Sequence, residues 1–416
     1  MEYVNTVFTE GPLEEQIRDF AVYLTKLKQE DGAFVTSINT LLDEKKYDQV
    51  FSTFASEASA LLDAPEKEFE PMYNLLIVIL QSASPEARPV LVKTSIKALV
   101  DDDRDKTIAK LKVLQNFYNT LESTSPLRYD VFLAVLTIAA KNDEIDTILP
   151  QLPRLDVWVK EWAITKQQER ELYLIISDNL KEAGEAKESY DFLLKYLATF
   201  NGSDNYTEAK IAATRALTEA IQLPEILSFE NLVELDAVKT LKDEKLFELL
   251  KIFLGSTLKE YKTFTEQNPG LVEKLGLSNE DNIRKIRLLT LASISSGHVG
   301  TEISYSDIAR ALEIDENEVE MWTIDVIRAK LLEAKLNQVN RTILVNRSTY
   351  RTFTKEQWMQ LADRLAGWQE SLADILQVVA NAKLIVQHAN VNANIAATTP
   401  LVVAESNVNG QEDSGQ

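Results

Sequence analysis

The chain has 416 residues, of which 45% are hydrophobic and 26% charged, with a formal net charge of −21 and no cysteine. This length and apolar content suit one to three domains with a large core; the missing cysteine excludes disulfides, a thiolate nucleophile and cysteine metal ligands. The strongest apolar run, Leu75 to Leu80, is too short to span a bilayer. With no signal-like N-terminus, the chain reads as intracellular and soluble, with no membrane partner.

Glycine (12) and proline (11) are scarce, which suits long helices with short connections. From residue 11 to about 281 the apolar spacing predicts consecutive antiparallel helices. Pro12 opens the first, with Leu13, Ile17, Phe20, Leu24 and Leu27 on one face. Others are expected over 47–62, 71–83, 89–100, 106–121, 127–141, 167–183, 187–199, 206–221 and 244–266. No repeat carries a fixed consensus. Helix pairs of this size stack in one dimension as a right-handed helical-repeat array, with a compact irregular bundle as the alternative. The run Asp101 to Asp105 reads as an acidic helix start, well placed on the helix dipole, in preference to a cation site.

A polar boundary at Glu266–Gly270 and Ser278–Asp281 divides residues 1–281 from a different pattern over 282–353. A helix over 282–295 is expected to join the two. Ile303 and Tyr305 form a short β-like run leading into a small helix that carries Ile308, Ala309 and Leu312. Asp315 caps a second helix, with Glu318 three residues on as in a capping box. Its inward positions are Val319, Trp322 and Val326, flanked by Ile327 and Leu331. Val339 then precedes an Asn340-Arg341 turn, and Ile343 and Val345 alternate as in a strand. Helix, turn, helix, hairpin is the order of a winged helix.

Thr354 with Gln357 three residues later starts a final helix, read over 354–389. Trp358, Leu361, Leu365, Trp368, Leu372, Ile375 and Val379 recur at alternating spacings of three and four, a heptad seam. Held for about four heptads, such a helix spans roughly 40 Å. It outruns the small wing domain, so its later part, Trp368 to Val379, is expected to bind a partner. Residues 390–416 are rich in Asn and Ala and are expected to be disordered.

The charge is uneven. Residues before Asn282 hold 31 basic and 49 acidic side chains, a balance of −18, whereas Asn282 to Lys383 is neutral. The long acidic part repels a phosphate backbone. Around the hairpin, Lys335, Arg341, Arg347, Arg351 and Lys355 occur without an intervening acid, with Tyr350 and Phe353 among them. This basic wing reads either as a contact for RNA or an acidic partner, or as a solvated edge whose charges block strand-on-strand aggregation. The second helix carries Glu316, Glu318, Glu320 and Asp325 against Arg328 and Lys330, which argues against DNA. His298 falls in a turn and His388 near the end of the last helix, and no Gly-rich phosphate loop, HExxH or GxSxG occurs. No catalytic, cofactor-binding or metal-ligating set is identified, and the chain is not expected to be an enzyme.

The mainly α order of helical array, winged helix and terminal helix resembles the PCI family of the proteasome lid, the signalosome and eukaryotic translation initiation factor 3. TIDVIRAKLLEAKLNQVNRTILV (323–345) and RSTYRTFTKEQWMQLADRLAGWQESL (347–372) are similar to the initiation-factor branch, as are SPLRY (125–129) and LVEKLGL (271–277). The similarity is dense over roughly 270–372 and patchy before it. The resemblance implies a cytoplasmic, non-catalytic scaffold whose winged helix packs edge to edge with those of sister subunits and whose terminal helix enters a shared bundle. The implied partners are PCI- and MPN-type subunits of initiation factor 3 and, through the complex, the small ribosomal subunit. A scaffold role in the signalosome or lid is the alternative, and RNA binding by the basic wing is a second.

Overall fold

Amphipathic periodicity decides the helices of the computed structural model, which describes residues 11–29, 32–102, 104–201, 207–352 and 355–398, with side chains to residue 386 apart from residue 356. The described chain is mainly α, with one small sheet, and divides into two compact units, Met1–Thr349 and Tyr350–Gln416. In helix Leu13–Lys28, burial falls on Ile17, Phe20, Ala21 and Leu24, one stripe of a 3.6-residue period. Glu14 and Glu15 sit in its first turn and Lys26 and Lys28 in its last, each end matched to the helix dipole. Gln29 closes it in the left-handed conformation.

Along the array many helices pack on their successor or on the one after. Glu66–Gln81 meets Thr107–Thr120, Arg88–Val100 meets Leu127–Lys141, and Lys166–Glu182 lies along Ala186–Ala198, which in turn meets Thr207–Gln222. Ser177 and Ser189 draw one such pair together by donating their hydroxyls to each other's carbonyl at 2.9 and 2.6 Å. The array has two cores in series, and helix Leu127–Lys141 is the wall between them. It gives Leu127, Val131, Ala134 and Ile138 to the first and Tyr129, Phe132, Leu136 and Ala139 to the second. Two apolar faces explain why this helix reads as hydrophobic all round.

Several boundaries differ from the sequence reading. The expected helix 71–83 begins at Glu66, so Pro71 lies inside it, exposed, and only the hydrogen bond to the Lys67 carbonyl is lost. The stretch 244–266 is two helices, Lys245–Gly255 and Leu258–Gln267, because the Thr257 side chain and Glu260 build a capping box that restarts the chain. Asp101 to Asp105 is not a helix start: the helix begins at Thr107 with no acid in its first turn. Asp102 is instead buried against the Lys110 ammonium at 2.8 Å, and that ammonium also donates to the Asp102 and Arg104 carbonyls. Asp103 lies outside the described residues. The helices Ala33–Asp43, Glu230–Glu234 and Asp236–Lys239 were not foreseen.

Helix Asn279–Gly297, started by the Ser278 hydroxyl accepting from the Asp281 amide, is the second shared wall. Ile286 and Leu289 belong to the second core of the array, and Leu291 and Ala292 to a third core that holds the winged helix. Two cations two residues apart fasten it on both sides. The Lys285 ammonium donates to the Ala220, Ile221 and Leu223 carbonyls at 2.6, 3.2 and 2.6 Å, at the C-terminus of helix Thr207–Gln222. The Arg287 guanidinium donates to the Leu312 and Glu313 carbonyls at 3.0 and 3.2 Å, at the end of helix Tyr305–Leu312, and lies 5.3 Å from the Trp322 ring centre. Both cations meet the negative end of a helix dipole and carbonyls that no longer have an intrahelical donor.

Lys285 is buried, and burial brings its pKa down to about 7. Lys285→Met is expected to lower the unfolding free energy by about 2–4 kcal/mol, because it leaves buried carbonyls without a donor. The unfolded chain holds this proton to near its ordinary value of 10.5 while the folded chain releases it from about 7. Raising the pH through that interval favours the folded state. In urea titrations the gap between wild type and Lys285→Met should therefore widen between about pH 7 and pH 10; a gap that stays constant over that interval would show that the carbonyl bonds cancel the effect of burial.

Candidate interaction surfaces

The winged helix is built from β1 (Glu302–Ser304), helix Tyr305–Leu312, a 3₁₀ turn Glu316–Glu318, helix Val319–Arg328, β2 (Leu332–Asn337) and β3 (Thr342–Ser348). The sheet order is β1-β3-β2, antiparallel throughout, with Ile303 opposite Ile343 and Ala334 opposite Val345. Leu332 and Ala334 share the core side of β2 by alternation, and a bulge opposite the Glu333–Ala334 step leaves Asn346 of β3 without a partner in the register. Val319, Trp322 and Val326 are buried with Ile308, Leu312, Ile343 and Val345, as their spacing predicts. Asp315 caps the first turn through the Asn317 amide. The second helix stops at Arg328, and Lys330 takes a positive φ of 58°, so Leu331 leads into β2 instead of ending the helix. LEAKLN as the first hairpin strand was not read from the sequence: Glu, Ala and Lys favour helix, and pairing with β3 overrides that preference.

Two exposed ion pairs also lie across the wing. The Arg341 guanidinium reaches the Glu316 carboxylate at 3.2 Å, and Arg347 reaches Glu333 across the β2–β3 pair at 3.4 Å. Lys335 is exposed on β2, an edge strand paired on one side only. At the base of the domain, Lys262 pairs with Glu313 and holds its carboxyl below the usual range. Of the five basic residues singled out in the sequence, Lys335, Arg341 and Arg347 lie in the first unit, while Arg351 and Lys355 lie in the second. Phe353 and Thr354 lie outside the described residues.

Among the described residues the second unit contains one helix, Lys355–Thr398, about 66 Å long at 1.5 Å per residue. The backbone from residue 390 to Thr398 is part of it, and residues 399–416 lie outside the described range. Its seam is exposed along its whole length: Trp358 is 61% accessible, Trp368 67%, Leu372 60% and Val379 57%, with Leu361, Leu365 and Ile375 between them. Leu376 and Val378 widen the stripe towards the C-terminus and were missed because they fall outside a strict heptad. Isolated apolar side chains on a surface are ordinary, whereas these form a continuous stripe. Among the described residues no group of three or more His, Asp or Glu could hold a metal ion, and His298 only caps the Ile294 carbonyl at 3.0 Å.

Two family models match. The PCI domain model covers residues 258–347, from helix Leu258–Gln267 to β3. A model described as "eIF3 subunit M, C-terminal helix" covers residues 351–379, a window that contains the whole seam. Eukaryotic translation initiation factor 3 subunit M of Phaeosphaeria nodorum is 37% identical over 390 residues, covering 90% of this chain and 88% of that protein. The subunits M of Dictyostelium discoideum and Pyricularia oryzae are 34% and 35% identical, covering 91% and 90% of this chain and 97% and 87% of their own lengths. The chain belongs to the eukaryotic translation initiation factor 3 subunit M family. The resemblance read from 323–345 and 347–372 is therefore correct, and the relatives place the chain in the initiation-factor branch of the PCI proteins. The subunit M family model for the last helix ends at residue 379, the last position of the seam.

Arg341 is 66% and Arg347 77% accessible at the side chain, so water screens both wing ion pairs. Arg341→Ala and Arg347→Ala are each expected to change the unfolding free energy by less than about 1 kcal/mol in chemical denaturation. A larger loss would mean that the wing is held by charge and not by the Ile343 and Val345 core.

Proposed function

We propose that this subunit M family chain is a non-catalytic, cytoplasmic scaffold of translation initiation factor 3, joined to sister subunits of PCI and MPN type through the terminal seam Trp358 to Val379. The observation that carries this reading is the coincidence of the exposed seam with the window of the subunit M helix model. A helix of isolated heptads gains little from propensity alone and is stabilised by burying its apolar face. Burial of each Leu, Ile or Trp side chain contributes roughly 1.5–3 kcal/mol or more, so seven positions supply ample energy for a bundle. The edge strand β2 offers a second contact, strand to strand with a neighbouring winged helix, and Lys335 on it is placed to meet acidic groups. Through the complex the chain would support preinitiation complex assembly on the small ribosomal subunit. Direct RNA binding by the wing is the weaker reading, because Arg341 and Arg347 are already paired with carboxylates.

Trp368→Ala with Leu372→Ala is expected to release the tagged chain from the other initiation factor 3 subunits, with at least a tenfold drop in their recovery on purification from cell extract (about 1.4 kcal/mol per decade). Both side chains are exposed, so the circular dichroism and melting of the free chain should be unchanged. Recovery at wild-type level would remove the seam from the assembly.

A further inference from the structure

The outer face of helix Val319–Arg328 is distinct from both the seam and the sheet edge. The inner face is used up by Val319, Trp322, Thr323 and Val326. A rotation of 100° per residue puts Met321, Ile324 and Arg328 on the opposite side, in line with Asn317 in the preceding turn. Met321 is 56% and Ile324 40% accessible. Gln338 donates to the Glu320 carboxylate at 3.2 Å and so holds the wing tip against this helix, with the neighbouring Val339 94% accessible. Three apolar side chains thus stand outside a domain whose core is already filled.

Carboxylates outnumber cations around them. Arg284 is engaged by Asp325 at 2.9 Å and Arg341 by Glu316. Glu320 accepts only from neutral groups, the Tyr305 hydroxyl and the Gln338 amide. Glu318 is exposed, and its carboxylate has no hydrogen-bond or ion-pair partner among the described residues. Two carboxylates without a cation therefore flank Met321, and Arg328, 3.9 Å from Asp325, marks the other end of the stripe. In a winged helix that reads nucleic acid this face carries donors for phosphate and bases; here it would repel them. We infer that this face docks a basic amphipathic helix of another protein, whose apolar ridge covers Met321 and Ile324 and whose lysines or arginines meet Glu318 and Glu320. The apolar pair supplies the area, and the carboxylates select the sign of the partner and reject acidic sequences.

The test places photoreactive p-benzoylphenylalanine at Asn317 in the tagged full-length chain, irradiates it in cell extract and sequences what is linked. Expected is a protein segment with net positive charge and apolar residues at three- and four-residue spacing. Glu318→Lys and, separately, Met321→Glu with Ile324→Glu should each cut the yield about tenfold; all of these side chains are exposed, so the fold should persist by circular dichroism. A linked nucleic acid, a linked acidic or uncharged segment, no link, or a yield indifferent to both variants would overturn the inference. Recovery of initiation factor 3 subunits, scored on the same material before irradiation, reports on the terminal seam and is independent of this face.

Discussion

Helix Asn279–Gly297 is the part on which the first unit depends. It has to satisfy two cores at once, and a purely apolar helix would do so without fixing how far one side turns relative to the other. Lys285 and Arg287 remove that freedom. Each points its cation at the carbonyl end of a different helix, Thr207–Gln222 on one side and Tyr305–Leu312 on the other. These are directional bonds to groups that would otherwise be buried unpaired, so a shift of the helix by one turn would strand both the carbonyls and the cations. The helical array and the winged helix are consequently one unit and not beads on a linker. The ion pair of Lys262 with Glu313 and the hydrogen bond from Ser348 to the Ala292 carbonyl at 2.8 Å close the same junction at its rim.

What the sequence made legible is what periodicity can carry. Ile17, Phe20 and Leu24, then Val319, Trp322 and Val326, announce their buried faces by spacing alone, and the winged-helix order follows from turn residues and alternation. The bonds of Lys285 were not legible, because they span 62 to 65 residues and join a side chain to backbone that no residue type encodes. The partition of helix Leu127–Lys141 between two cores was hidden for a related reason: two apolar faces on one helix blur the period that would separate them. The break at Ser256-Thr257 is written in the chain as Thr followed three residues on by Glu, but the apolar residues on both sides continue in phase and hide it. Strand β2 was masked by helix-favouring side chains, where the partner strand and not propensity sets the conformation.

Charge separates the surfaces into three kinds. The body before Asn282 is strongly acidic, a charge that repels a phosphate backbone. Within that domain the guanidinium groups at the wing are spent on Glu316 and Glu333, so the positive charge apparent in the sequence is partly cancelled by carboxylates that the fold brings beside it. The same fold leaves Glu318 and Glu320 beside Met321 without a cation. The winged-helix architecture is shared with nucleic-acid readers, but here the second helix presents carboxylates and methyl groups where such readers carry donors for phosphate.

The terminal helix follows a different logic from the body. In the array every helix gives its apolar stripe to a neighbour, and side chains such as Phe20, Trp162 and Leu217 are fully buried. In Lys355–Thr398 the stripe from Trp358 to Val379 remains more than a third accessible at every position. Leaving two tryptophans and five aliphatic side chains in water forgoes several kcal/mol that burial would recover. The sequence nevertheless maintains the heptad, which in a free surface helix would have no stabilising role. A repeat with that spacing is the pattern that knobs-into-holes packing against a second helix requires, and nothing within the described residues of this helix supplies that second set.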